Sequence, residues 1–292
     1  IVGAGLQDRW RVVLSEGGHG GATVRVASED PARLKVSSDR LTAGADFVDL
    51  EFAPGETSKD IYLQGVRGAT PGLAQVRATE PRFSDGIAEV TVAEPLLQVR
   101  GLSSTQRLDT LDAGVEDPFL IWTWIPSSLG GTDFYRSQEV SALDGPLALT
   151  VTSSDTSVVD LVSGVEEGGT VQVQIPVGSI QGDGIAARFP AFATAQTLAA
   201  SITASASGFV AGVVDLSVIV CAPTISVQDA SFSNEIVGAG LQDRWRVVLS
   251  EGGHGGATVR VASEDPARLK ISSGRLTAGA DFVDLEFAPG ET

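Results

Sequence analysis

Ala22-Thr23-Val24-Arg25-Val26-Ala27-Ser28-Glu29-Asp30-Pro31-Ala32-Arg33-Leu34-Lys35-Val36 is the stretch from which the fold is read. Ala22, Val24 and Val26 alternate with Thr23 and Arg25, and Leu34 and Val36 flank Lys35. Between the two runs stand an acidic pair and a proline. Successive strand side chains face opposite ways, so each run is a half-buried strand and the interruption is a turn. The same alternation runs outward in both directions. Trp10, Val12 and Leu14 share one face, as do Val48, Leu50 and Phe52; so do Ala74, Val76 and Ala78, and Ala88, Val90 and Val92. Further on come Leu147-Leu149-Val151, Val171-Val173-Ile175, Leu198-Ala200-Ile202 and Leu216-Val218-Val220. Strand-sized runs recur about every eight to twelve residues between Gly, Pro and Asp, which is the spacing of an antiparallel sandwich. No run carries a helical stripe. The expected class is all-β, as antiparallel β-sandwich modules with little or no helix.

A second feature sets the organisation. Ile1–Thr57 returns as Ile236–Thr292 with two changes, Val36 to Ile271 and Asp39 to Gly274. Exposed residues such as Gln7, Arg9, His19 and Arg40 recur together with core residues, which points to recent tandem duplication. The period is 235 residues, and repeat arrays build length. Strand runs hand over at Glu94-Pro95 and again at Ala222-Pro223, with no Gly/Ser spacer at either place. The expected modules are therefore 1–95, then 96–222, then 223–292 as a second copy of the first, stacked end to end. The opening strand of the first module corresponds to 224–235 of the later copy. The sequence stops at Thr292, before the equivalents of 58–95, so either a continuation of the chain or a neighbouring chain is expected to complete that module.

Composition narrows the function. Lys and Arg total 20 against 37 Asp and Glu, a net charge of −17. Phosphate polyanions and anionic membrane surfaces would be repelled by it, so no nucleic-acid partner is expected. No run of apolar residues is long enough for a membrane-spanning helix. No leader opens the chain, and any secretion signal is expected outside these residues. The chain has one cysteine, Cys221, so no intrachain disulfide forms. Cys221 reads either as a small buried residue near a strand end or as an interchain crosslink. Asn234 is followed by Glu235-Ile236 and makes no glycosylation sequon.

Ala22–Val36, together with 52–66 (Phe-Ala-Pro-Gly-Glu-Thr-Ser-Lys-Asp-Ile-Tyr-Leu-Gln-Gly-Val) and 78–92 (Ala-Thr-Glu-Pro-Arg-Phe-Ser-Asp-Gly-Ile-Ala-Glu-Val-Thr-Val), resembles the bacterial Ig-like repeats found in tandem in large cell-surface proteins and adhesins. Thr42–Phe47 followed by Phe52–Thr57 also resembles Calx-beta modules. The resemblance is strong over 1–95 and loose over 96–222. It implies an immunoglobulin-like sandwich and an extracellular or cell-surface location. Its motifs are turn and strand punctuation: Pro54-Gly55 and Asp85-Gly86 read as tight turns.

Chemistry-bearing residues are few. His19 and His254 are one repeat position in a glycine loop, with no second group at triad or metal spacing, so no enzyme activity is expected. Acidic residues gather at Asp46, Asp49 and Glu51 and at Asp109 and Asp112. They read either as solvated surface charge or as ligands for calcium, with Asp46, Asp49, Glu51 and Asp112 as the candidates. Phe119-Leu120-Ile121-Trp122-Thr123-Trp124-Ile125-Pro126 is apolar on both faces. Ile121 and Ile125 face one way, Trp122 and Trp124 the other. Either a loop over 127–146 buries the indoles, or they form an aromatic shelf with Phe134 and Tyr135 that stacks on a glycan or docks a neighbouring module.

The function expected from these readings is structural, a stalk, fibre or surface filament. The alternatives are an adhesin or glycan-binding module using 119–136, and a filament subunit assembled between chains by strand exchange.

Overall fold

The computed structural model describes residues 1–112, 114–164, 166–230, 236–252 and 255–292. Asn234, His254 and the 231–235 end of the expected opening strand lie outside the described residues. The described residues form strands and turns without helix. The chain divides into two compact units. The first comprises 1–105, 115–189 and 199–217; the second comprises 106–114, 190–198 and 218–292.

The first eight strands are β1 (Val2–Gly3), β2 (Leu6–Val13), β3 (Ala22–Ser28), β4 (Leu34–Ser37), β5 (Phe47–Phe52), β6 (Ser58–Gly65), β7 (Gly72–Thr79) and β8 (Gly86–Ala93). Five of them make one sheet in the order β1-β8-β7-β3-β5, and β2-β6-β4 lie in another. The inward residues of both sheets meet in one core that includes Val24, Val26, Leu34, Val36, Phe52, Leu63, Val90 and Val92. Trp10 and Val12 pack against its margin. The alternating residues of the sequence are thus the two inner faces of a sandwich. One pairing is parallel rather than antiparallel: Val2 lies opposite Val92. After β1 the chain turns at Gly5, whose φ is +83°, and enters the other sheet as β2.

From Leu96 onward run β9 (Leu96–Arg100), β10 (Thr105–Asp109), β11 (Val115–Pro126), β12 (Phe134–Ser137), β13 (Glu139–Val140), β14 (Leu147–Ser153), β15 (Asp160–Ser163), β16 (Glu166–Gly168), β17 (Thr170–Ile175), β18 (Ile185–Phe189), β19 (Gln196–Ser205) and β20 (Gly212–Cys221). In the first unit, β20-β19-β14-β17 form one sheet and β12-β11-β18-β15-β16 another, with β9 also paired to β11. Strands β19 and β20 contribute residues to both units.

Within the first unit, residues on the two sides of Pro95 share more than that link. Strand β13 extends the β2 sheet, with Glu139 opposite Gln7 and Val140 opposite Leu6. Gly3 N donates to Gln138 Oε1 at 2.9 Å, and Gln138 Nε2 donates to Ile1 O at 2.8 Å. Ser141 N donates to Gly5 O at 3.0 Å, Arg40 pairs with Glu139 at 2.8 Å, and Arg136 pairs with Asp8.

The second unit holds β21 (Ile225–Asp229), β22 (Trp245–Leu249), β23 (Ala257–Ala262) and β24 (Phe282–Phe287), paired β21 to β22 and β23 to β24. The β23–β24 ladder repeats β3–β5 residue for residue: Ala257 faces Phe287 as Ala22 faces Phe52, through to Ala262 and Phe282 as Ala27 and Phe47.

Candidate functional site

The aromatic residues come together on β11 and β12. In β11, Ile121, Thr123 and Ile125 are buried, and Trp122 and Trp124 occupy the opposite face. Strand β9 flanks this stretch with Gln98 opposite Trp122 and Leu96 opposite Trp124. Strand β12 pairs with the end of β11, where the register shifts between Ile125 and Pro126 and brings Phe134 opposite Pro126.

The two indoles stack at 6.3 Å between centroids, and the Phe134 ring meets Trp124 edge-on at 5.8 Å. Arg100, from the end of β9, lies 4.6 Å from the Trp122 ring centre and 5.9 Å from that of Trp124. A guanidinium over an indole face is held by the ring quadrupole. The indoles are half-buried, and neither indole N–H finds an acceptor among the described residues. Phe134 is 47% exposed and Tyr135 62% exposed. The free aromatic surface is therefore carried by Phe134 and Tyr135. Trp122 and Trp124 form the layer beneath, capped in part by Arg100. Arg100 was absent from the residues singled out by sequence. The alternation in Leu96–Arg100 was its only signal, since the register that places it beside the indoles joins segments twenty residues apart.

The acidic candidates sit in separate pairings. Lys35 holds Asp46, and Arg25 donates two 2.9 Å bonds to Asp49. The guanidinium bond keeps the Asp49 carboxyl below its ordinary value. Thr23 donates its hydroxyl to Glu51 at 3.0 Å. The Arg25–Asp49 and Thr23–Glu51 pairs lie across the outer face of β3 and β5, the usual way a sheet satisfies its solvent side, while Lys35 reaches Asp46 from β4. Asp112 belongs to the second unit and accepts from Asp109 N at 2.7 Å in a turn. Among the described residues no three His, Cys, Asp or Glu side chains gather in a metal-binding group.

His19 ties its glycine loop. Its Nδ1 accepts from Gly21 N at 3.1 Å, so Nε2 carries the proton it donates to Glu56 O at 2.9 Å. Arg82 closes the same loop by donating to His19 O at 2.7 Å and Gly21 O at 2.8 Å. Cys221, at the end of β20, is exposed and its thiol is in no disulfide. The reading of it as a small buried residue is corrected: alternation turns Val220 into the core and leaves its neighbour outside.

No protein-family model matches this chain, and no curated protein matches it. Matches among solved structures include parts of one S-layer protein. Domains 5–6 of the S-layer protein SbsC align over 75% of this chain and 91% of theirs, at 16% identity and a TM-score of 0.24. Domains 4–9 of surface layer protein SbsC align over 96% of this chain and 36% of theirs, at 15% identity and a TM-score of 0.28. No helix among the described residues is long and apolar enough to cross a membrane.

Proposed function

We propose that this chain is a structural segment of a long extracellular bacterial repeat protein, built from Ig-like sandwich modules as a stalk, fibre or surface filament. The modules are 1–95, 96–222 and the partial copy 223–292. The observation that carries this is the recurrence of one hairpin in one register. Arg25 on Asp49 and over Phe47 returns as Arg260 on Asp284 and over Phe282, with ring distances of 4.1 and 4.2 Å. A unit copied with its surface pairs intact is what a periodic rod requires, because each copy must present the same faces to its neighbours. The bonds joining Gln138, Glu139 and Ser141 to Ile1–Gln7 support a stiff connection between the first two modules. An interchain disulfide at the exposed Cys221 fits the same role. The reading is tested on producing cells with an antibody raised against 127–133. A surface-exposed, protease-accessible polypeptide well above 30.1 kDa is expected. An intracellular protein of that mass overturns it.

A second reading is favoured by the exposure of Phe134 and Tyr135. They offer a flat apolar surface to a sugar ring or a neighbouring module, with Trp122 and Trp124 as reporters. Saccharide titration followed by indole fluorescence tests it. A saturable change lost in Tyr135→Ala supports glycan binding, and a flat titration overturns it.

A further inference from the structure

The first unit builds one sheet twice, with different outer faces. Strand β3 pairs with β5 and β7 as β14 pairs with β17 and β19. The registers agree: Val26 lies opposite Val48 and Ala78, and Val151 lies opposite Val171 and Ala204. Stepping outward from these residues, Arg25 corresponds to Thr150, Asp49 to Gln172, Glu51 to Gln174 and Arg77 to Thr203. Alternation turns all of them away from the core, because Val26, Leu50, Val151 and Val173 beside them are buried.

In the first sheet every one of these positions is charged. Arg25 holds Asp49, Glu51 accepts from Thr23, and Arg77 pairs with Glu29 and Asp85. In the second sheet every one is neutral and polar. Where Arg25 grips Asp49, Thr150 donates its hydroxyl to Gln172 Oε1 at 3.1 Å. Ala148, Thr152, Ser201 and Ser205 continue the same face without charge. Gln172 and Gln174 are exposed, and Thr150 and Thr203 are half-buried. Carboxylates return at the margins, with Asp215 on β20 and with Glu166 of β16, which accepts from Gln172 N at 2.9 Å.

We infer that the neutral outer face of β14, β17 and β19 docks on the same face of a second copy of this chain, across a two-fold axis. Electrostatics selects the occupant. A chain of net charge −17 repels its own kind, and a face without charge is where two copies meet at least cost. A two-fold contact sets each patch against itself, so a charged face would oppose like charges. Hydroxyls and amides both donate and accept, which makes this face its own complement. Strands of this length, at about 3.3 Å per residue and about 4.8 Å apart, give a footprint of roughly 10 by 20 Å. That is small beside the interface of a stable dimer, so one contact is weak. Recurrence of the face once per period would add such contacts between two parallel rods. The inference rests on the proposed filament role and deepens it by naming a lateral contact. Its test reads association of the purified chain, so it fails independently of the protein's location or length.

The test uses the full chain with Cys221→Ser, followed by sedimentation at concentrations rising into the millimolar range. The parent is expected to dimerise reversibly. Gln172→Glu with Gln174→Glu restores the acids of the first sheet, and Gln172→Lys with Gln174→Lys places cations there. Each pair of changes is expected to weaken dimerisation at least tenfold, because each sets like charges face to face. Both leave the unfolding midpoint unchanged, since the two side chains are exposed. An equal mixture of the two variants is expected to regain association. The lysine form separates this from bulk charge: it makes the chain less acidic, so if net charge alone governed association it would associate more strongly than the parent. A parent that stays monomeric, a lysine form that associates as well as the parent or better, or a mixture that stays apart overturns the inference. Sugar on Thr150, Thr152 or Thr203 in protein from the producing cells also overturns it, because a glycan there would hold the faces apart.

Discussion

Gln138 bonds through both ends of its amide to main chain 135 or more residues away, Gly3 N and Ile1 O, in a place closed to water. A buried N–H that loses its acceptor carries the whole desolvation penalty of that group. Gln138→Leu, which keeps the volume and removes both polar atoms, is expected to destabilise the first unit by about 1–3 kcal/mol. Urea unfolding measures this as a lower midpoint at unchanged slope. Gln7 and Gln64 form a similar buried pair, with Gln64 Nε2 donating to Gln7 Oε1 at 3.0 Å. None of the three was legible beforehand. Period-two alternation sorts Trp10, Val12 and Leu14 correctly onto the core face, and it puts Gln7 on the opposite face. Gln7 is buried because Glu139 and Arg40 cover that face, and such cover depends on a pairing more than a hundred residues distant. The faces of Ile121, Trp122, Trp124 and Ile125 were legible, since strand geometry alone decides them. The Arg100 cap on Trp122 was not.

At the scale of elements, the crossing of β1 into β2 depends on how closely two backbones approach. A Cβ added to Gly65 would lie 2.3 Å from Gly3 O and 3.1 Å from Ala4 Cα. Both neighbours are backbone, so no side chain can swing aside. The approach also carries the Gly5 N to Gly65 O bond of 2.8 Å that joins the start of β2 to the end of β6. Gly65→Ala is therefore expected to cost about 1–3 kcal/mol, the usual range for overpacking a closed site. Gly86→Ala, with only a methyl at 3.7 Å nearby, is the control and should change the melting temperature little. Turn chemistry was legible in part. Pro54-Gly55 forms the turn its residues predict, with Gly55 at φ +83° and Glu56 N bonded to Ala53 O. The turn between β7 and β8 lies earlier than Asp85-Gly86, at Glu80–Phe83, because Arg82 and Glu80 pair there and anchor the His19 loop. The parallel β1 left no trace in the sequence, being two residues long.

At the scale of the molecule, one sequence stands in two environments. Leu34 and Val36 are fully buried beneath the strands that follow them, while their equivalents Leu269 and Ile271 are partly exposed, Leu269 at 43%. Leu276 is 99% exposed. The local ladders are the same, so the difference is the lid: β6, β7 and β8 cover the first copy, and no described strand of that sequence covers the second. Duplication and the all-β class were legible because both are local or periodic. The burial of each copy was not, because it depends on which strands lie against it. Appending the sequence of Ser58–Pro95 after Thr292 should supply the lid and build a second core like the first. Amide exchange is the suitable measurement, because protection reports the free energy of local opening. In the chain without the extension, 269–287 is expected to exchange much faster than 34–52, although hairpin bonds and residues match. With the extension the two should converge. Peptides are assigned to their copy by Val36 against Ile271 and Asp39 against Gly274. If 269–287 still exchanges fast with the added strands present, β6–β8 do not complete that core, and the repeat does not build by stacking equivalent sandwiches.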